Sequence, residues 1–194
     1  MGRSHAALYG LACAFAVVAA PASAFTAIDP LTRQPLYSTN ESLEPQAAPI
    51  PRQVVSFDGR YAPGTIVVST SQRRLYYVLG NGQAIQYGVG VGRPGFTWSG
   101  THSITMKREW PDWRPPAAML KRRPDLPRYM AGGPDNPLGA RAMYIGSTIY
   151  RIHGSNEPET IGEAVSSGCI RMTNEDVIDL YNRAKVGARV VVMR

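Results

Sequence analysis

Apolar and polar positions divide this chain into an apolar N-terminus, a polar stretch punctuated by prolines, and a long segment patterned as short strands. The strand pattern begins near Tyr61. Thr65 to Thr70 is largely β-branched, Leu75 to Leu79 follows a short polar turn, and Gly80-Asn81-Gly82 supplies the next turn. Ile85, Tyr87, Val89 and Val91 then alternate with Gln86, Gly88 and Gly90, and His102, Ile104 and Met106 share one parity. These runs predict a meander of antiparallel strands. Strands resume at 143–145 and 149–152, and residues 188–193 form a closing strand.

One good helix is expected near the end. Thr173 caps it, Asp176 takes its third position, and Val177, Leu180, Tyr181 and Ala184 make its apolar stripe, with Gly187 as the stop. The fold class expected is mainly β, a sandwich or partly closed barrel with a few short helices.

Residues 107–140 interrupt the pattern with seven prolines, from Pro111 to Pro137. A short helix at 117–122 fits between them. An irregular insertion of this length in a compact domain is a lid, a binding loop or disorder, and Trp110 and Trp113 argue against disorder. Residues 25–58 hold Pro30, Pro35, Pro45, Pro49 and Pro51 among small and polar residues, the composition of a tether. Part of that tether is expected to dock on the domain, with Leu36-Tyr37 as a contact. Residues 59–194 then form the domain.

Residues 1–24 read as an export signal. Arg3 and His5 precede an apolar run over 6–20, Pro21 breaks it, and Ala22-Ser23-Ala24 is a small-x-small cleavage site. The run is shorter than the about 20 residues a membrane-spanning helix needs, so no tight membrane insertion is expected after cleavage. The formal charge of +7 favours anionic partners. Nucleic acid is not among those expected, because the chain is exported and its longest basic run is Lys121-Arg122-Arg123.

The chemistry rests on one thiol. The chain has two cysteines, and Cys13 lies inside the export signal. Cys169 therefore remains as an unpaired thiol in a compartment where thiols usually pair. It follows Ser166-Ser167-Gly168 and comes sixteen residues after His153-Gly154. An imidazole that takes the thiol proton gives a nucleophilic thiolate–imidazolium pair. Gly168 permits a sharp turn, so that the N–H groups of Ser167, Gly168 and Cys169 face one point and hold an oxyanion. The Gly154 carbonyl is the nearest group to orient His153. A buried structural thiol and a strand-end histidine are the plain alternatives. His102, His153 and Cys169 lack the spacing of a zinc site, and no metal is expected.

The runs Ile152-His153-Gly154-Ser155-Asn156-Glu157-Pro158 and Ser166-Ser167-Gly168-Cys169-Ile170-Arg171-Met172 closely resemble the signature of L,D-transpeptidases with a YkuD-type catalytic domain, of the ErfK/YbiS-like Gram-negative kind. Gly100 to Ile104, Glu109 to Pro116 and Gly132 to Gly139 resemble further family segments, the last two being those that cover the active site. The resemblance spans about residues 60–194. It implies a β-sandwich-like fold and cysteine acyl transfer on peptidoglycan peptide stems in the periplasm, without metal or nucleotide cofactor, and sensitivity to carbapenems. Cys169 is then the nucleophile, His153 the base, and Gly154 the orienting carbonyl. Ser167, Gly168 and Cys169 are the oxyanion donors. Arg171 binds a stem carboxylate, and Tyr144 and Trp110 are further substrate contacts.

Ser167 stands where many family members carry histidine, so His153 would handle the protons alone. The acceptor is left open among a stem amine, the N-terminus of an outer-membrane protein, and water. A wall-binding module without catalysis and a redox thiol remain the alternatives of another kind.

Overall fold

The computed structural model describes residues 50–57 and 60–194. The expected export signal, most of the tether and the Leu36-Tyr37 contact lie outside them. Eleven strands and two α-helices follow in order: β1 (Gln53–Ser56), β2 (Ile66–Ser69), β3 (Arg74–Gly80), β4 (Gln83–Gly88), β5 (Val91–Gly92), β6 (Gly100–Glu109), α1 (Ala117–Arg122), β7 (Arg141–Ile145), β8 (Arg151–His153), β9 (Ala164–Ser166), β10 (Ile170–Arg171), α2 (Asn174–Arg183) and β11 (Arg189–Met193). The mainly β class is as expected.

Nine strands hydrogen-bond in the order β1-β4-β3-β2-β11-β6-β7-β8-β10. Strands β2, β3 and β4 form one consecutive antiparallel meander and β6, β7 and β8 a second. The expectation that β6 would continue the first meander is corrected: β11 runs between β2 and β6, parallel to β2 and antiparallel to β6. Its Val190 and Val192 are buried and take the central slot. Alternation gives a strand's faces but not its neighbours, so the sequence could not show this insertion.

The long strand β6 joins the two halves of the sheet. Residues 100–103 pair with β11, and after a register shift between Ile104 and Met106 the strand pairs with β7. The bulge bends the strand and breaks the parity read across His102, Ile104 and Met106. Only Ile104 of these is fully buried. Ile66, Val68, Tyr87 and Val190 from one half share a single core with Met143, Ile152 and Ile170 from the other.

Helix α2 covers that core with Val177, Leu180 and Ala184. Thr173 caps it, its Oγ1 accepting from the Asp176 N–H at 3.2 Å. The expected stop at Gly187 is corrected. The helix ends at Arg183, and Lys107 Nζ donates to the carbonyls of Tyr181 and Ala184 at 2.6 and 2.7 Å. A lysine from another strand thus satisfies the helix's last carbonyls. Gly187, at φ +90°, serves the turn into β11.

The ordered body starts earlier than the expected tether boundary. Strand β1 pairs with β4, Ile50 lies against Gly88, and Arg52 sits 3.5 Å from both Asp176 and Asp179. In the 107–140 insertion, residues 107–109 belong to β6 and helix α1 falls where expected. Trp113 and Met130 exchange backbone hydrogen bonds at 2.8 and 2.9 Å and pin the neck of the insertion. Arg122 of α1 stacks 5.2 Å from the Phe96 ring.

Candidate active site

The parallel pair β8–β10 and its neighbour β7 place the chemistry. Met143, Ile152 and Ile170 are register partners, all buried in the core. Residues one step either side must face the opposite way. Ala142, His153 and Arg171 form one such row, and Tyr144 pairs with Arg151 in the next. One step along the same ladder brings Cys169 level with Arg151, whose backbone hydrogen-bonds the thiol. Cys169 and His153 are therefore diagonal neighbours on one face, about 7 Å apart at the backbone, a gap that an imidazole and a thiol span.

His153 is buried, and its Nδ1 lies 2.6 Å from the Gly154 carbonyl oxygen. A carbonyl only accepts, so Nδ1 carries the proton and Nε2 is left as a base. Gly154 is the residue expected to do this. A side chain there would meet Asn174 Oδ1 at 2.3 Å, so glycine is required by space. Asn174 Oδ1 itself accepts from the Ala140 N–H at 2.8 Å.

The turn before the nucleophile is tightly held. Gly168 has φ +110°, and a Cβ there would lie 2.4 Å from the Tyr150 ring. Ser166 Oγ donates to the Cys169 carbonyl at 2.6 Å and accepts the Gly168 N–H at 3.0 Å. Trp98 Nε1 donates to the Gly168 carbonyl at 2.8 Å and stacks on Tyr150 at 4.6 Å. This corrects the expected oxyanion set: the Gly168 N–H is already taken by Ser166. Among the described residues the N–H groups of Ser167 and Cys169 have no protein acceptor. The Ser167 hydroxyl accepts from Arg93 at 3.3 Å.

Charge is disfavoured on both reacting groups. Burial pushes the Cys169 thiol up, although the Arg151 backbone bond and the charges of Arg151 and Arg171 oppose it. Burial pushes His153 down to about 3, opposed by the Gly154 carbonyl and aided by Arg171 and Arg151. Cys169 as a whole residue is nonetheless only half-buried. Burial therefore works against charge on either side of the expected thiolate–imidazolium pair, and among the described residues no hydrogen bond joins thiol and imidazole.

Arg171 is on the site face, but Glu157 accepts from its Nη1 at 2.8 Å, so the free fork expected there is partly occupied. Tyr144 lies in the row of Arg151 and Cys169, as a substrate contact would. Trp110 sits at the end of β6, half-exposed, with its backbone on Ala140 and against Gly132. A cavity of about 350 Å³ between Ser155, Asn156, Asn174 and Glu175 lies beside the His153 loop, and neither His153 nor Cys169 lines it. Among the described residues no cluster of His, Cys, Asp or Glu has the make-up of a metal site.

Sequence reasoning missed Arg151, Ser166 and Trp98. Alternation along Tyr150-Arg151-Ile152-His153 puts Arg151 on the face of His153, a signal that was present. Ser166 carried the weaker hint of a hydroxyl two residues before a turn glycine. Nothing local to Trp98 announces a contact seventy residues away.

The family model of the YkuD L,D-transpeptidase catalytic domain matches residues 63–192. The chain belongs to this family. The probable L,D-transpeptidase YbiS of Escherichia coli K12 is 36% identical over 149 residues, 73% of this chain and 47% of that protein. The chain thus matches less than half the length of that curated relative. L,D-transpeptidase 3 of Mycobacterium tuberculosis, 20% identical, superposes with a TM-score of 0.55 over 67% of this chain and 60% of its own, and supports the YkuD fold. A structure described as a probable carnitine operon oxidoreductase from Brucella melitensis is 46% identical, with a TM-score of 0.50 over 74% of this chain and 93% of its own. In this YkuD domain Cys169 and His153 lie on the side of β8 and β10 opposite the core residues Ile152 and Ile170.

Proposed function

We propose that this protein is a peptidoglycan L,D-transpeptidase that works by cysteine acyl transfer. The observation that carries the reading is the shared face of Cys169 and His153, with Nδ1 fixed on the Gly154 carbonyl and Nε2 left as a base. The donor is a tetrapeptide stem. Sγ attacks the carbonyl of its third residue as the thiol proton passes to His153 Nε2, and the S–C bond forms. The tetrahedral oxyanion is met by the N–H groups of Ser167 and Cys169. The C–N bond then breaks, His153 returns the proton to the departing D-alanine amine, and a thioester remains. An acceptor amine, that of a diaminopimelate on a neighbouring stem, attacks the thioester. It loses its proton to His153 as the new C–N bond forms; the C–S bond then breaks, and His153 returns that proton to the sulfur.

Because burial disfavours charge on both groups, the thiol loses its proton as the new bond forms rather than beforehand. Substrate that covers the half-buried Cys169 strengthens the hydrogen bonds there by excluding water. The 107–140 insertion suits a cover: its helix α1 stacks on Phe96, whose carbonyl lies against Gly92 and Gly168. A periplasmic setting follows from the substrate and fits the export signal read in residues 1–24.

The test is incubation of the purified protein with a disaccharide-tetrapeptide, followed by intact mass spectrometry. The expected result is an adduct equal to the donor less D-alanine, absent from Cys169→Ala. Release of D-alanine by Cys169→Ala would refute the reading. Mass analysis of the products with stem, protein or water as acceptor identifies the second half-reaction.

A further inference from the structure

Arg151 is a second arginine at the nucleophile, and the family resemblance gave it no role. It is level with Cys169 on the ladder, on the face that carries His153, and its backbone bonds the thiol. Its guanidinium lies over the Tyr144 ring at 4.9 Å. Its Nε is buried without a hydrogen-bond partner, and among the described residues no carboxylate, carbonyl or hydroxyl accepts from its fork.

Other arginines in this region are engaged. Glu157 accepts from Arg171 at 2.8 Å, and Ser167 accepts from Arg93 at 3.3 Å, with the Arg93 guanidinium also stacked on Phe96. A buried donor left unpaired is costly, the more so when it is charged. Stacking on an aromatic ring returns only part of that. A planar, fixed cation with unused donors beside a nucleophile matches a carboxylate that accepts from two N–H groups at once.

We propose that Arg151, braced on Tyr144, is the subsite for a carboxylate of the donor stem. This inference rests on the acyl-transfer reading for its ligand. Two carboxylates flank the scissile bond: the terminal one on the departing fourth residue, and the side-chain one of a third-residue diaminopimelate. Either gives the fork the same chemistry.

Binding is tested apart from catalysis, in the Cys169→Ala protein, by calorimetric titration with three tetrapeptide stems. One is the parent, one has its terminal carboxylate amidated, and one has the third-residue side-chain carboxylate amidated. One of the two amides should bind about 10- to 100-fold more weakly than the parent, the range set by a charged hydrogen bond; which one it is names the carboxylate. Arg151→Met, which keeps an apolar stem over Tyr144, should weaken the parent by a similar factor. It should add nothing further on the stem that lacks the recognised carboxylate.

A merely structural arginine would give Arg151→Met the same loss on all three stems, and that result overturns the proposal. So does indifference of the Cys169→Ala protein to both amidations, which needs no Arg151 variant to fold. So does a parent stem that fails to bind at millimolar concentration. If Arg151 only supports the thiolate, its removal shifts the pH profile of acylation and leaves these affinities unchanged, which also overturns it. Carboxylate-dependent binding without any Cys169 adduct in the unsubstituted protein would retain the subsite while refuting acyl transfer.

Discussion

Ser166 closes a ring on Cys169: its hydroxyl donates to the Cys169 carbonyl at 2.6 Å while accepting the Gly168 N–H at 3.0 Å. One oxygen thereby fixes both ends of the turn that aims the sulfur and the free Ser167 and Cys169 N–H groups. Ser166→Ala removes both bonds in a buried place. The stability cost should be about 1–2 kcal/mol, read as a fall in the urea midpoint. Acylation should slow by about 10- to 100-fold, because reacting atoms displaced by a fraction of an ångström lose alignment. The loss should fall on kcat with KM little changed, since Ser166 positions the turn and touches no substrate. A loss confined to KM would reject this role.

A thiol pushed up by burial is slow to alkylate. Cys169 should react with iodoacetamide at pH 7 more slowly than a free cysteine. Its rate should climb about tenfold per pH unit toward pH 9, because only the thiolate reacts. Adduct formation followed by intact mass from pH 6 to 9 gives the profile. A rate that is flat from pH 6 upward would mean a preformed thiolate–imidazolium pair, and the concerted proton transfer would be wrong.

The proposed pair of Cys169 and His153 could be singled out in the sequence because Gly154 and Gly168 mark it. Each is a position where a side chain would strike Asn174 Oδ1 or Tyr150, and each neighbours one reacting residue. Helix α2 was legible from Thr173 and the 3.6-residue stripe of Val177, Leu180 and Ala184. Its end was not, because its last carbonyls are met by Lys107, seventy-four residues from Tyr181. The central place of β11 was hidden for the same reason: pairing is decided between segments distant in sequence. The protonation state of the site was also hidden, since it follows from burial. Residue identity alone suggests that His and Cys exchange a proton at rest, whereas their burial works against charge on either.

His153 links stability to acid. Its folded pKa is depressed to about 3 from an ordinary 6.5, so the unfolded chain takes up a proton first as pH falls. The stability this residue contributes is whole above pH 6.5 and drains away between there and pH 3, at about 1.4 kcal/mol per unit. At pH 4.5 the expected penalty is about 2–3 kcal/mol relative to pH 7. Urea unfolding of His153→Gln should lack that part of the acid slope, whatever its stability at pH 7. Equal slopes for the two proteins between pH 7 and 4.5 would show that the imidazole is not held neutral by the fold.

Gly154 and Asn174 should behave as a coupled pair. A Cβ at 154 would sit 2.3 Å from Asn174 Oδ1 and 3.1 Å from the Ala140 nitrogen. The same Oδ1 holds the Ala140 N–H at 2.8 Å, so it cannot retreat without breaking that bond. Gly154→Ala should therefore cost about 2–4 kcal/mol and shift the carbonyl that orients His153, lowering acylation by about 10-fold or more. Asn174→Ala alone should cost about 1–2 kcal/mol by leaving the Ala140 N–H without its partner. In the double variant the steric part of the first cost is gone, so the two costs should sum to more than the measured loss by about 1 kcal/mol or more. Urea midpoints of the four proteins supply the cycle. Strict additivity would mean that the clash with Asn174 is not what demands glycine beside His153.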